Sequence, residues 1–148
     1  MTGVQTCALP IFNGIATTAV ARRLQKNFRN AGLDITIEQW SILYHLWKED
    51  GLSQLELGNR TFRDKASTTR LIDNLEKQEL VVRVASKEDR RINLVYLTDI
   101  AKPLQQITYE LANQTMNEAL VDISKEEIEV VKNVFQRVYD NLNNKDLL

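Results

Sequence analysis

The segment from Ser53 to Thr98 constrains the fold of this chain more than any other, because helix signals are followed at once by strand signals. Ser53 is a good N-cap for a short helix that continues to about Arg60. Asp64 is a good N-cap for a second helix, which continues to about Gln78. The segment therefore begins with two short helices joined by a tight connection.

The second of these helices is predicted to have one buried and one exposed side. Leu71, Ile72 and Leu75 recur at helical spacing and predict a buried stripe. The other side carries short hydrogen-bonding groups and cations, namely Lys65, Ser67, Thr69, Arg70 and Asn74. Such side chains contact base edges and phosphates in nucleic acids. This side is therefore a candidate DNA-binding surface.

A β-hairpin is predicted directly after the second helix. Val81 to Ala85 and Ile92 to Leu97 are apolar, strand-like runs, and the charged loop SKEDRR joins them. Helix, helix and hairpin in this order define a winged helix-turn-helix, which we place at residues 36–98. The predicted fold class is mostly α with a small β-hairpin, and the winged helix is flanked by terminal helices.

Helices on both sides of this lobe carry apolar repeats, at residues 12–32 and 99–148. Thr98 is predicted to cap a long helix, with Pro103 at its fifth position, and Ser124 to cap the last helix. The last helix repeats Ile128, Val131, Phe135, Val138 and Leu142 at spacings of three and four. Such spacing is typical of a helical seam between two chains, so we expect a homodimer. Packing on the chain's own domain is the alternative.

The helix after Thr36 is rich in aromatic residues. Thr36 and Gln39 have the spacing of a capping box. Trp40 and Tyr44 share one side of this helix with Ile37 and Trp47. They either pack in the core or line a cavity for a flat, apolar effector. Both interpretations remain open at this point.

The charge distribution supports a localised rather than a general affinity for nucleic acid. The net charge is −1, which argues against a protein that coats nucleic acid indiscriminately. Residues 59–91 nevertheless hold nine cations against six anions, whereas residues 92–148 hold five against nine. No apolar run approaches the roughly 20 residues of a membrane span, and no secretory signal is evident, so we expect a cytoplasmic protein.

No catalytic or metal-binding constellation is recognisable. The chain has a single His45, no Cys/His zinc spacing, no paired carboxylates and no phosphate-binding glycine loop. We therefore expect no cofactor and no enzyme activity.

The first eleven residues require separate treatment. The run TGVQTCALPI is the translation of a nucleotide string that resembles a common sequencing adapter. We expect residues 1–11 to be an artefactual segment, and residues 12–148 to form a single domain. The only cysteine, Cys7, lies in this segment, so no cysteine-based oxidant sensing is expected from the remainder.

The run FRDKASTTRLIDNLEKQELVVRVASKEDRRINLVYLT closely resembles the signature region of the MarR family of bacterial regulators. The segments IEQWSILYHLW and SQLELGNR are similar to that family's second and third helices. The resemblance implies a winged helix between terminal helices that intertwine two protomers. Asp89 and Arg91 match the family's Asp-x-Arg wing motif, in which the arginine reaches into the minor groove. Glu79 stands where the family usually has glycine, so either a left-handed cap there costs roughly 1 kcal/mol or the helix ends differently.

The resemblance and the residues together predict a homodimeric, sequence-specific DNA-binding repressor that a small aromatic effector releases. Its operator would be a pseudo-palindrome in double-stranded DNA. Direct contacts are predicted for residues of the recognition helix and wing, namely Arg63, Lys65, Ser67, Thr69, Arg70, Asn74, Lys87, Asp89, Arg90 and Arg91. Trp40 and Tyr44 are the candidate effector contacts. The alternative is a winged helix that binds a protein partner without sequence-specific DNA binding.

Overall fold

The computed structural model describes residues 3–143, with side chains from Asn13 onward. Thr2, at the start of the adapter-like run, and residues 144–148 of the predicted C-terminal helical region lie outside the described residues. The helices are α1 (Gly3–Asn30), α2 (Ile37–Lys48), α3 (Gln54–Arg60), α4 (Lys65–Lys77), α5 (Leu104–Ala119) and α6 (Lys125–Asn143), and the strands are β1 (Leu52–Ser53), β2 (Val81–Ala85) and β3 (Asn93–Leu97). This arrangement confirms the predicted mostly α fold class with its β-hairpin. The chain forms two compact units, one ending at Thr115 and one beginning at Met116.

Side-chain caps fix where the helices of the first unit begin. At α2 the Gln39 N–H donates to the Thr36 hydroxyl at 3.1 Å, and the Thr36 N–H donates to the Gln39 amide at 2.8 Å. Ser53 and Glu56 form the same reciprocal pair at the start of α3. Each box satisfies two N–H groups that a helix terminus leaves without a partner. The predicted capping box at Thr36 and the predicted cap at Ser53 are confirmed.

The sheet has three antiparallel strands in the order β1-β3-β2. β2 and β3 pair from Val81 opposite Leu97 to Ala85 opposite Asn93, which is the predicted hairpin. β1 adds Leu52 opposite Val95 and Ser53 opposite Leu94. Two residues are too few for an alternating pattern, so this strand was missed in the sequence. It ties the hairpin to the segment that leads into α3.

One hydrophobic core holds the elements of the first unit together. α2 contributes Ile42 and Leu43, α4 contributes Ile72 and Leu75, and the central strand contributes Val95, all with essentially no exposure. Phe28, near the end of α1, belongs to the same cluster, whereas Ile15 nearer its start is 61% exposed. The buried stripe of α4 that the spacing predicted is thus confirmed. The opposite side of α4 faces solvent.

The region after β3 differs from the prediction. Thr98 does not cap a helix, because α5 begins only at Leu104. Isolated turns occupy the interval, with Ala101 N–H donating to the Thr98 carbonyl at 3.1 Å. Pro103 is the physical reason, since it lacks an N–H and disfavours helical geometry in the residue before it. Thr98 instead donates its hydroxyl to the Glu79 carbonyl at 2.7 Å.

α4 ends in a left-handed residue that is not glycine. Glu79 has a φ of 58°. The Leu80 N–H reaches back to the Leu75 carbonyl at 2.9 Å, and the Glu79 N–H reaches the Glu76 carbonyl at 3.0 Å. This pair of bonds is a Schellman motif. Of the two alternatives that the sequence left open at Glu79, the structure has the left-handed cap, through which the chain reverses into β2.

The second unit consists of the end of α5, a short connection and α6. The Glu127 N–H donates to the Ser124 hydroxyl at 3.2 Å, and the Ser124 N–H donates to the Glu127 carboxylate at 2.8 Å, which confirms the predicted cap. None of the α6 side chains, all of which are described, is buried. Its apolar residues are exposed, Val131 by 52% and Phe135 by 36%.

Among the described helices we find none whose length and apolar character would let it cross a bilayer.

Candidate nucleic-acid interface

The outward side of α4 is polar and cationic at the start of the helix. Lys65, Arg70 and Asn74 are exposed, while Ser67 and Thr69 are half-buried. The first turn of α4 lies within the described residues and holds no acidic side chain, but its N-cap residue is an acid whose carboxylate offsets part of the helix dipole. The positive charge on this side therefore comes from its lysine and arginine side chains, which can attract a phosphate.

Asp64 shapes the first turn of α4 and confirms the predicted N-cap. Its carboxylate accepts the Ser67 N–H at 2.8 Å and the Ser67 hydroxyl at 2.9 Å. The bond from the Ser67 backbone, followed by the bond from its hydroxyl, lowers the pKa of Asp64 below its usual value. The Ser67 hydroxyl is thereby oriented as a donor to Asp64, which leaves its oxygen as an acceptor for a ligand.

Thr69 is already engaged inside the protein. Its hydroxyl donates to the Lys65 carbonyl at 2.8 Å and accepts a bond from the Gln54 amide nitrogen. The sequence analysis missed Gln54, because a glutamine at the start of a neighbouring helix gives no local signal. The pair links the beginning of α3 to the exposed side of α4. A contact from Thr69 to DNA would thus bring Gln54 close to the same base or phosphate.

The wing tip is held in shape by its own side chains. Asp89 accepts the Arg91 N–H at 2.9 Å through its carboxylate and the Ile92 N–H at 2.9 Å through its carbonyl. Its carboxylate therefore orients the backbone that carries Arg91. Lys87, Arg90 and Arg91 are all exposed. The tip presents three cations on a hydrogen-bonded turn.

A cavity of about 520 Å³ lies between α3, the start of α4 and the base of the wing. It brings together three predicted site residues that are distant in sequence, Arg63, Lys65 and Arg91. The Arg63 Nε is buried and has no hydrogen-bond partner among the described residues. The cavity is also lined by residues that the sequence analysis did not select, namely Ser53, Gln54, Leu55, Gly58, Asn59, Thr68, Ile92 and Asn93.

Trp40 and Tyr44 lie elsewhere, in an aromatic cluster of the first unit. The ring centroids of Phe28 and Trp40 are 6.0 Å apart, those of Trp40 and Tyr44 5.7 Å, and those of Tyr44 and Tyr109 5.8 Å. The Trp40 Nε1 is buried without a partner among the described residues. Trp47, in contrast, donates its indole N–H to the Ala101 carbonyl at 3.1 Å. Neither Trp40 nor Tyr44 lines the cavity beside the wing.

Helix α3, helix α4 and a hairpin with a cationic tip, all on one small core, define a winged helix-turn-helix of the DNA-binding class. Residues 35–92 match the model of the MarR family. The chain is 33% identical over 108 residues to the uncharacterised HTH-type transcriptional regulator YdgJ of Bacillus subtilis, spanning 73% of this chain and 64% of that relative's length. The segment that carries the two helices and the wing thus matches the MarR family, and the relative that the chain resembles is a transcriptional regulator.

Solved structures share the fold over most of this chain. The transcriptional regulator PA3341 matches with a TM-score of 0.79 and 29% identity, over 93% of this chain and 99% of that one. A cysteine-to-serine mutant of MarR from E. coli, complexed with operator DNA, matches with a TM-score of 0.83 and 21% identity, over 90% of this chain and 95% of that one. The second similarity, at this identity, concerns the fold alone.

Proposed function

We propose that this protein is a homodimeric, cytoplasmic, sequence-specific DNA-binding repressor that releases its operator when a small aromatic effector binds. α4 would enter the major groove, and the wing would follow the neighbouring minor groove. Ser67, Thr69 and Arg70 would contact base edges and nearby phosphates. Lys65 and Arg63 would hold phosphates, and Arg91 would lie along the minor groove with Arg90 and Lys87 beside it.

The single observation that carries this proposal is the convergence of cations around one concave surface. Arg63, Lys65 and Arg91 come from the helix connection, α4 and the wing, yet they line the same cavity. A convex, anionic DNA backbone fits such a surface, since phosphate contacts position a protein on the duplex. A MarR mutant of E. coli that shares this fold has been solved in complex with operator DNA, which supports DNA as the partner proposed here.

The exposed apolar side of α6 supports a homodimer. Val131, Phe135, Val138 and Leu142 repeat on this side and are exposed by 36% to 81%. An apolar patch of this kind on a regulator indicates a protein contact. A second copy of the chain is the partner that suits a two-fold-symmetric operator, because dimers place two recognition helices about one helical turn apart.

Selection from a random pool of double-stranded DNA tests the central proposal. The full chain is incubated with the pool in increasing salt, and the retained duplexes are sequenced. Enrichment of one pseudo-palindrome that survives moderate salt is expected. Weak retention that salt abolishes, from a folded dimer, would contradict the proposal and favour the partner-binding alternative.

The effector part rests on the indole N–H of Trp40, a buried donor within an aromatic cluster. An effector can release DNA only if it binds the DNA-free conformation more tightly than the bound one. Benzoate and phenol serve as simple aromatic probes in an operator-release assay. Trp40→Phe is expected to weaken release, whereas Trp47→Phe, whose indole N–H already has a partner, serves as the control. Operator binding that neither probe changes would contradict an aromatic effector.

A further inference from the structure

Arg83, in the middle of β2, joins the wing to the recognition helix through three hydrogen bonds. Its Nη2 donates to the Asp73 carboxylate at 2.6 Å and its Nη1 to the Glu76 carboxylate at 2.6 Å. Its backbone N–H donates to the other Glu76 carboxylate oxygen at 3.1 Å. We call Asp73, Glu76 and Arg83 the wing clamp.

The geometry of the wing clamp is unusually restrictive for an ion pair. Asp73 and Glu76 are one turn apart on α4, so a planar guanidinium that binds both has its orientation fixed. The Arg83 side chain is only 18% exposed, although the two acids are 46% and 40% exposed. Single exposed ion pairs contribute little to stability, but a multidentate arginine in a partly buried network is a stronger constraint.

The position of the clamp matters as much as its strength. β2 lies at the edge of the three-stranded sheet, where it pairs with β3 on one side. The clamp lies between β2 and α4. The clamp binds the outer side of the wing to α4 only three residues before Ser86, where the loop to the tip begins. Ile92 closes that loop, as the Ser86 N–H donates to its carbonyl at 2.8 Å. The clamp thus joins α4 to the strand that leads into the loop carrying Arg91.

We propose that Arg83 is a positioning residue for DNA recognition: it holds the wing at the angle at which Arg91 and the outward side of α4 contact one duplex together. This inference rests on the proposed DNA-binding function and extends it. Arg83 also compensates two carboxylates that lie on the recognition helix, where uncompensated anions would repel phosphates. The two roles predict opposite changes in operator affinity when both carboxylates are neutralised and Arg83 is kept.

A double-mutant cycle on the selected operator tests the positioning role. Arg83→Met keeps the apolar stem and removes the clamp. In the otherwise native protein we expect Arg91→Ala to weaken binding by about tenfold or more. In the Arg83→Met background the same change is expected to cost less than about threefold, because the wing no longer holds Arg91 on the DNA. Equal losses in the two backgrounds would overturn the inference.

Arg60→Met is the matched control. Arg60 binds Glu49 at 2.6 Å with its side chain 35% exposed. It lies at the end of α3, and we find no hydrogen bond from its side chain to the described residues of the wing. Its loss should leave operator affinity and the full cost of Arg91→Ala unchanged. A comparable loss of coupling in Arg60→Met would show that any broken ion pair has this effect, and would also overturn the inference.

The double variant Asp73→Asn, Glu76→Gln separates positioning from charge compensation. It keeps Arg83, removes two negative charges from α4 and eliminates both ion pairs. Charge compensation alone predicts tighter binding, whereas positioning predicts weaker binding and a reduced cost of Arg91→Ala. Circular dichroism and urea unfolding establish that each variant is folded at the assay temperature. Tighter binding of this variant would overturn the positioning role.

The outcomes for the two proposals are distinguishable. If the native protein selects an operator and Arg91→Ala weakens it, but the cycle is additive, the proposed function stands and the positioning role fails. If the native, folded dimer selects no operator, both fail. Hydrogen exchange gives a readout without DNA, since residues 86–92 should exchange faster in Arg83→Met while β3 and α4 stay protected.

Discussion

Replacing Glu79 by glycine should stabilise the protein, although it removes a charged side chain from the end of the recognition helix. Glu79 has a φ of 58°, where a side chain at Cβ costs about 1–2 kcal/mol that glycine does not incur. Glycine loses more conformational entropy on folding than glutamate does, and this lowers the stability of the variant by about 0.4–1 kcal/mol. The bonds at this residue all involve its backbone N–H or carbonyl, so glycine retains them. The expected net gain is about 0.5–1 kcal/mol.

Urea unfolding followed by tryptophan fluorescence measures this gain, at one protein concentration because dimerisation would couple to stability. Glu79→Ala is the matched control, since it removes the same charge but keeps Cβ and therefore the strained conformation. It should change the free energy of unfolding by less than about 0.5 kcal/mol. If the glycine and alanine variants are equally stable, the backbone conformation at Glu79 carries no strain and the reasoning is wrong.

Three further predictions concern the site, pH and assembly. Arg91→Ala should weaken operator binding by roughly 1–3 kcal/mol without unfolding the protein, and Arg137→Ala on α6 should not; an unchanged affinity in a gel-shift titration refutes the wing contact. Burial first, then the nearby cations, lowers the pKa of His45 from 6.5, so its stabilising contribution is present above that pH and is lost as the pH falls through the folded value. The free energy of unfolding should therefore depend less on pH just below 6.5 in His45→Gln than in the native protein. The same pH dependence in both proteins would contradict the lowered pKa of His45. Phe135→Glu should shift sedimentation toward monomer, whereas Asn133→Glu on the same helix should leave the dimer intact.

The boundaries of most helices were determined locally and could be predicted from the sequence. Thr36, Ser53, Asp64 and Ser124 each satisfy backbone N–H groups within three residues of themselves, so their effect is independent of the remaining fold. The buried stripe of α4 and the β-hairpin follow equally from local spacing. The start of α5 was predicted wrongly, because the cap signal at Thr98 was given more weight than the disruption that Pro103 imposes.

The sequence predicted which residues belong to the candidate site, but not how they are arranged in space. The outward residues of α4 and the charged wing tip were recognisable, since helical periodicity and hairpin context place them. The engagement of Thr69 by Gln54 was not, because the two residues are 15 positions apart. The cavity that joins Arg63 to Arg91 arises from the packing of three separate elements. Periodicity carries no information about such distant neighbours.

The sequence by itself determined that this chain has a winged helix with a basic tip, because caps, apolar spacing and turn residues act over a few positions. Only the tertiary structure decided how the wing is attached to the recognition helix. Arg83 appeared in the sequence merely as a charge within an apolar strand. Chain reversal at Glu79 brings β2 alongside α4, and only then does its guanidinium meet Asp73 and Glu76. Hydrogen bonds between side chains of different elements depend on that packing, which no local pattern encodes.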